Sequence, residues 1–195
     1  MLRISLVLIS VSLLCSRAVA HELPDGEIER RVQITVKRDC VLVEYTLGMS
    51  HATLAKALAS HGIAPDLEFA AMWRQYQAIV LSTLPKKIHC TIGEEQIRFE
   101  PVQASYSGWS HRQLVCLFRA NLTDEPHRRM IKLIDGNFAN VPGTYRIALK
   151  GRSGAKIENA TVPPIVSRSR PILLTDLTSA EKKQATTVEG AIVID

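Results

Sequence analysis

Residues 31–47 constrain the fold of this chain most. Val32, Ile34 and Val36 alternate with polar neighbours between Arg31 and Lys37. Arg38-Asp39 offers a turn, and Val41, Val43, Tyr45 and Leu47 resume the alternation between Cys40 and Leu47. Successive side chains of a strand point to opposite faces, so a period of two gives each segment one apolar and one polar face. Two such runs around a turn predict a β-hairpin. Strand-like runs continue over Ile88–Ile92 and Gln96–Ser105, which flank Gly93-Glu94-Glu95, and then over His111–Ala120, Arg128–Ile134, Thr144–Lys150 and Lys156–Val162. Asp135-Gly136-Asn137 and Val141-Pro142-Gly143 supply turn chemistry between them. The pattern predicts a mainly β protein, an antiparallel immunoglobulin-like sandwich of seven to nine strands. Gly190–Asp195 is expected as a last edge strand or a loose end.

A helical pair interrupts this pattern over residues 50–84. Ser50 can cap a short helix through Ser60 that Gly62 ends. Asp66 can cap a longer helix to about Leu84, with Phe69, Trp73, Tyr76, Val80 and Leu84 at three- and four-residue spacing and Met72 and Ile79 widening the stripe. Pro85 stops it. The Trp73 stripe is expected to pack on a sheet rather than to form a cofactor site.

The first twenty residues follow a different rule. Met1-Leu2-Arg3 is a basic start, Ile4–Cys15 is apolar apart from serines, and Ala18-Val19-Ala20 offers a small-residue cleavage site. That order predicts a signal peptide, 1–20, with His21 as the first mature residue. The apolar run is too short for a membrane span of about 20 residues. Residues 21–166 are then expected as the β-sandwich domain, and 167–195 as a C-terminal tail whose Thr178-Ser179-Ala180-Glu181 caps a short helix. The expected location is periplasmic or extracellular. Loss of Arg3 and Arg17 lowers the formal net charge from +5 to +3. That excess, with no Lys/Arg block, argues against nucleic acid as a partner.

Export permits disulfides. Cys90 shares its strand face with Ile88 and Ile92, and Cys116 shares its face with Leu114 and Phe118. Both point to a core, so parity selects Cys90–Cys116 as a pair, with Cys40 free near a turn. Three unpaired thiols are the alternative, because a buried Cys behaves as a small hydrophobe.

Catalytic signatures are absent from the sequence: it contains no G-x-G-x-x-G, P-loop, G-x-S-x-G, H-E-x-x-H or C-x-x-C. One arrangement points to metal. Cleavage after Ala20 would give His21 a free α-amine beside its ring nitrogen. A second imidazole from His89, His111 or His127 would complete a copper-type brace, imidazole suiting Cu, Ni and Zn. Glu22 and Asp25 could serve a harder site. Asn121-Leu122-Thr123 and Asn159-Ala160-Thr161 are sequons, meaningful only in a eukaryotic secretory pathway.

The start His21-Glu22-Leu23-Pro24, the hairpin, the inserted helices, Asp135-Gly136-Asn137-Phe138, and Pro142-Gly143-Thr144-Tyr145 through Leu149 together resemble the soluble outer domain of certain bacterial exported proteins. In those, the domain often precedes a polytopic part similar to hydrogenase/urease accessory transporters of the HupE/UreJ type. The resemblance implies an extracytoplasmic β-domain associated with nickel or cobalt, with a membrane transporter or envelope protein as partner. No spanning run follows the domain within this sequence, so the expected role is that of a stand-alone domain. Taken together, the residues predict an exported binding or interaction domain without catalysis. An envelope scaffold without ligand is the first alternative, and a hydrolase whose site is invisible in sequence is the second.

Overall fold

The computed structural model describes residues 23–64, 67–107, 113–122, 128–161, 172–173 and 177–194. It is mainly β: two sheets packed face to face, with three α-helices. The hairpin forms as expected. β1 (Ile28–Val36) pairs antiparallel with β2 (Cys40–Met49), from Ile28 opposite Met49 to Val36 opposite Val41. Helices α1 (His51–Ala59) and α2 (Phe69–Thr83) follow. Then come β3 (Ile88–Ile92), β4 (Glu95–Ile97), β5 (Glu100–Ser107), β6 (Gln113–Asn121) and β7 (Arg129–Asp135). After these come β8 (Thr144–Gly151), β9 (Ala155–Thr161), β10 (Ile172–Leu173), α3 (Ser179–Ala185) and β11 (Thr187–Ile194).

The first sheet runs β10-β8-β1-β2-β6-β5 and the second β4-β3-β7-β11-β9. The described residues thus hold eleven strands, more than the seven to nine expected. The run 96–105 divides at Arg98-Phe99 into β4 and β5, which belong to different sheets, and β10 is added. The first sheet is not purely antiparallel, since β1 pairs parallel with β8, Arg30 beside Tyr145. The end of the chain departs furthest from expectation. β11 is neither an edge nor a loose end but an interior strand, paired with β7 on one side and β9 on the other. Residues 187–194 are therefore part of the sandwich rather than of a tail. Val188, Ala191 and Ile192 are buried there.

Inward positions of both sheets build one core. Val32, Ile34, Val36, Val43, Tyr45 and Leu47 from the hairpin face Ile88, Cys90, Ile131 and Leu133 from the second sheet. Ser50 caps α1 as expected, its Oγ accepting from the Thr53 amide. The expected cap Asp66 lies outside the described residues; the residue before α2 is Glu68, which makes no side-chain cap bond. The α2 stripe is core: Met72, Trp73, Tyr76, Val80 and Leu84 are each at most 4% exposed. Trp73 stacks on Tyr106 of β5, with ring centroids 5.5 Å apart. An aromatic of this size buries about 150–250 Å², worth about 4–6 kcal/mol of transfer free energy. Gln77 Nε2 also donates to the Ala104 carbonyl at 3.4 Å, so α2 covers part of the β5 edge. Pro85 ends the helix in a 3₁₀ turn, Leu84–Lys87. Among the described residues no helix is long and apolar enough to cross a membrane.

The cysteines are a correction. Cys40, Cys90 and Cys116 are all free and buried, so the expected Cys90–Cys116 disulfide does not form. Parity put both on the core face correctly. It could not show that they belong to opposite sheets, Cys90 opposite Leu133 and Cys116 opposite Tyr45. Inward cysteines on facing sheets can be bridged only where their Cα atoms come within about 4.4–6.8 Å, a condition that strand parity does not encode. Burial pushes both thiols up to about 12.

Candidate functional site

Of the sequence-derived metal-ligating histidines, His89 is the one among the described residues. His89 is exposed on β3, opposite Ile134. His21, His111 and His127 lie outside the described residues. Among the described residues no group of three or more His, Cys, Asp or Glu could hold a metal ion.

The polar chemistry of the interior lies elsewhere, in residues that the sequence reading passed over. Asp135, the last residue of β7, is 1% exposed. Its Oδ2 accepts from the hydroxyls of Tyr45 at 2.9 Å and Tyr145 at 3.1 Å. Its Oδ1 accepts from the backbone amide of Asn137 at 3.0 Å and from Asn137 Nδ2 at 2.8 Å. Asn137 Nδ2 also donates to the Leu84 carbonyl at 3.0 Å. Beside them Arg30 is fully buried, its Nη1 donating to the Phe138 carbonyl at 2.6 Å and its Nη2 to the Val141 carbonyl at 3.1 Å. Its guanidinium carbon lies 5.9 Å from the Tyr145 ring centre.

This arrangement follows from register. Arg30 lies beside Tyr145 in the parallel β1–β8 pair, and Tyr45 opposes Val32, two residues further along β1. Tyr45 of β2 and Tyr145 of β8, on either side of β1, thus donate across the core to a carboxylate of the other sheet, with Arg30 of β1 beside them. A carboxylate has about four acceptor sites, and four donors fill them. Burial raises Asp135 above its ordinary value, opposed by these hydrogen bonds. Burial also lowers Arg30, opposed by Tyr45, Asp135 and Tyr145. With its acceptors saturated and its atoms out of solvent, this cluster is a clasp between sheets rather than a reaction centre. A sequence signal for it existed. Arg30 shares parity with Val32, Ile34 and Val36, and Asp135 shares parity with Ile131 and Leu133.

The open chemistry is at the corner where the edges of both sheets meet. β4 ends the second sheet, β5 ends the first, and only Arg98-Phe99 separates them. A cleft of about 500 Å³ opens there against the end of α2. Leu81, Pro85, Ile88, Ile97 and Phe99 supply apolar lining, while Lys86, His89 and Arg98 supply the nitrogen groups. None of its lining residues is acidic. A second cleft of about 400 Å³ adjoins it, sharing Arg98 and Pro101 and extending to Val102 and Arg119. Arg119 is engaged with Asp39 at 3.0 Å, whereas Lys86 and Arg98 have no ion-pair partner among the described residues. The cleft is a wide, open depression that sets apolar and cationic groups side by side.

Compared with known proteins, the chain matches no family model and no curated protein.

Proposed function

We propose that this chain is an exported binding domain whose recognition surface is the cleft between the end of α2 and the β3–β5 corner. The observation that carries the reading is the pairing of an apolar floor, Leu81, Pro85, Ile97 and Phe99, with the cations Lys86 and Arg98. A ligand with an apolar body and one anionic group satisfies both halves. Burial of the body gains roughly 25 cal/mol per Å², and a guanidinium offers a two-pronged contact to a carboxylate or sulfonate. Export rests on the order of residues 1–20. The immunoglobulin-like assignment rests on the two-sheet, mainly antiparallel construction, with the parallel β1–β8 pair as a departure from it. The likeness to the outer domain of HupE/UreJ-type proteins rests on the sequence segments 21–24, 135–138 and 142–149. Nickel or cobalt handling through His21 rests on sequence alone and forms no part of the cleft.

The test uses anilinonaphthalene sulfonate, a fluorescent anion with an apolar body, displaced by octanoate or by uncharged octanol. Octanoate should displace the probe at least tenfold better than octanol from the folded protein. Arg98→Ala combined with Lys86→Ala should erase that preference at an unchanged melting temperature. Equal displacement by both, or an unchanged preference in the double variant, overturns the reading.

A further inference from the structure

We infer that the outer face of the β1–β8 pair is an oxyanion site, with Arg31 and Arg146 as its paired ligands and a phosphate or sulfate group as its occupant. The site lies apart from the cleft at the β3–β5 corner and does not depend on it.

Register creates the pair. The parallel β1–β8 ladder sets Arg30 beside Tyr145 on the core side, and its next step sets Arg31 beside Arg146 on the outer side. Neighbouring strands stand about 4.8 Å apart, and both arginines are exposed. Like charges side by side on one sheet face are destabilising. Arg146 has no ion-pair partner among the described residues. Arg31 reaches Glu29 at 3.8 Å with half of its side chain in solvent. Glu29 in turn accepts from Gln113 of β6 at 3.4 Å, on the side away from β8. Glu44 is on that far side too, opposite Gln33 on β2. Toward β8 the outward residues are Arg146, Ala148 and Lys150, two cations with a small side chain between them. Lys150 Nζ donates to Gln33 Oε1 at 2.9 Å, which holds that side chain over the same pair of strands.

The chemistry selects the ligand. A guanidinium is a planar fork that meets phosphate-type oxygens two at a time. A tetrahedral oxyanion offers enough oxygens for both forks, so it replaces the repulsion between them with two attractive contacts. A halide ion has no second oxygen to present. The forks also stand on a fixed base. Arg30 donates to the Phe138 and Val141 carbonyls at 2.6 and 3.1 Å, which holds the same ladder in register from the inside. A solvated basic face is the competing account. Such a face is screened by any salt and shows no saturation.

The test follows backbone amides and arginine Nε–H groups of the folded, isotope-labelled chain by NMR. Inorganic phosphate or sulfate is added, with chloride at matched ionic strength as the control. Phosphate should give saturable shifts centred on Arg31, Arg146 and Ala148, and chloride should not. Arg31→Ala and Arg146→Ala, both at exposed positions, should each weaken phosphate at least about fivefold. The double variant should keep only the response to chloride. Arg98→Ala with Lys86→Ala, which removes the cations of the cleft, should bind phosphate at this face as wild type, so the two proposals fail separately. Phosphatidylglycerol vesicles distinguish the source of the group: binding to them beyond that of the free ion, lost in Arg146→Ala, assigns it to a lipid headgroup. Shifts that never saturate, equal shifts with chloride, or unchanged phosphate binding in the double variant overturn the inference.

Discussion

Replacing Asp135 by Asn tests whether the interior clasp holds the two sheets together. The change keeps shape but removes the charge and one acceptor. Four donors now converge on the carboxylate: two tyrosine hydroxyls on Oδ2 and two nitrogens of Asn137 on Oδ1. However the new amide is oriented, its NH₂ group faces two of them. A hydrogen bond to a charged group contributes about 1.5–3 kcal/mol, and an orphaned buried donor costs about 1–3 kcal/mol. Hydroxyl rotation recovers part of the loss on the tyrosine side. Arg30 meanwhile loses its nearest interior negative charge, and breaking buried charge compensation costs about 3–5 kcal/mol. These terms overlap, so the net expectation is about 3–5 kcal/mol. Natural domains hold only about 5–15 kcal/mol, and at this size each kcal/mol moves the melting temperature about 2–4 °C. Asp135→Asn should therefore melt about 6–20 °C below wild type. Differential scanning calorimetry measures this directly, and denaturant titration checks that the m-value is unchanged. Tyr145→Phe removes one donor and leaves the carboxylate, so it should cost about 1–2 kcal/mol. A loss below about 1 kcal/mol for Asp135→Asn would refute the clasp.

Two further outcomes follow from the fold. Gly143 has φ of 124°, and a Cβ there would overlap the backbone of Ile28, so Gly143→Ala should cost more than the roughly 1–3 kcal/mol of backbone strain alone, read as a sharp fall in melting temperature or soluble yield. Cys40, Cys90 and Cys116 should resist alkylation at pH 8 in the native state and all react after denaturation, as peptide mapping would show. Cys90 and Cys116 titrate near 12 when folded against 9.0 in a free chain. Tyr76, also pushed up to about 12, acts in the same direction from 10.0. Each raised value favours the proton-bearing folded state, so this stabilisation is complete below pH 9 and is lost as pH rises toward 12. Stability that rises over that window would contradict the burial.

The hairpin, the capped α1 and the α2 stripe were legible because each depends on local periodicity. Val32, Ile34 and Val36 sort to one face whatever they pair with, and Ser50 needs only Thr53 to cap a helix. What stayed illegible depends on partners distant in sequence. Cys90 and Cys116 share an inward parity, yet parity carries no sheet label. Gly190–Asp195 reads as an edge strand or a loose end because small Gly190 and Ala191 interrupt its pattern, but interior placement wants small residues. A Cβ at Gly190 would meet Ile157 and Leu149 side chains at 2.9 and 3.2 Å. The cleft was invisible because Leu81, Lys86, Ile97 and Arg98 come from separate elements, and only closure of the sandwich brings them together.

The interior polar residues explain why a sandwich with such mixed topology has one register. Apolar faces alone tolerate alternatives, since a strand shifted by two residues still buries its apolar side. Arg30 removes that freedom. It must reach the carbonyls of Phe138 and Val141 while lying beside Tyr145. A two-residue slip of β1 would strand its charge in the core. Asp135 fixes β7 in the same way against Tyr45 and Tyr145. The segment that carries Arg30 also binds outward: the Ile28 amide donates to the Pro142 carbonyl, the Gly26 amide to Thr53 Oγ1, and Asp25 accepts from Ser50. Residues 25–30 are thus hydrogen-bonded at one end to the clasp and at the other to the start of α1. The register of the sandwich and the placement of the start of α1 are consequently tied to one continuous stretch of chain.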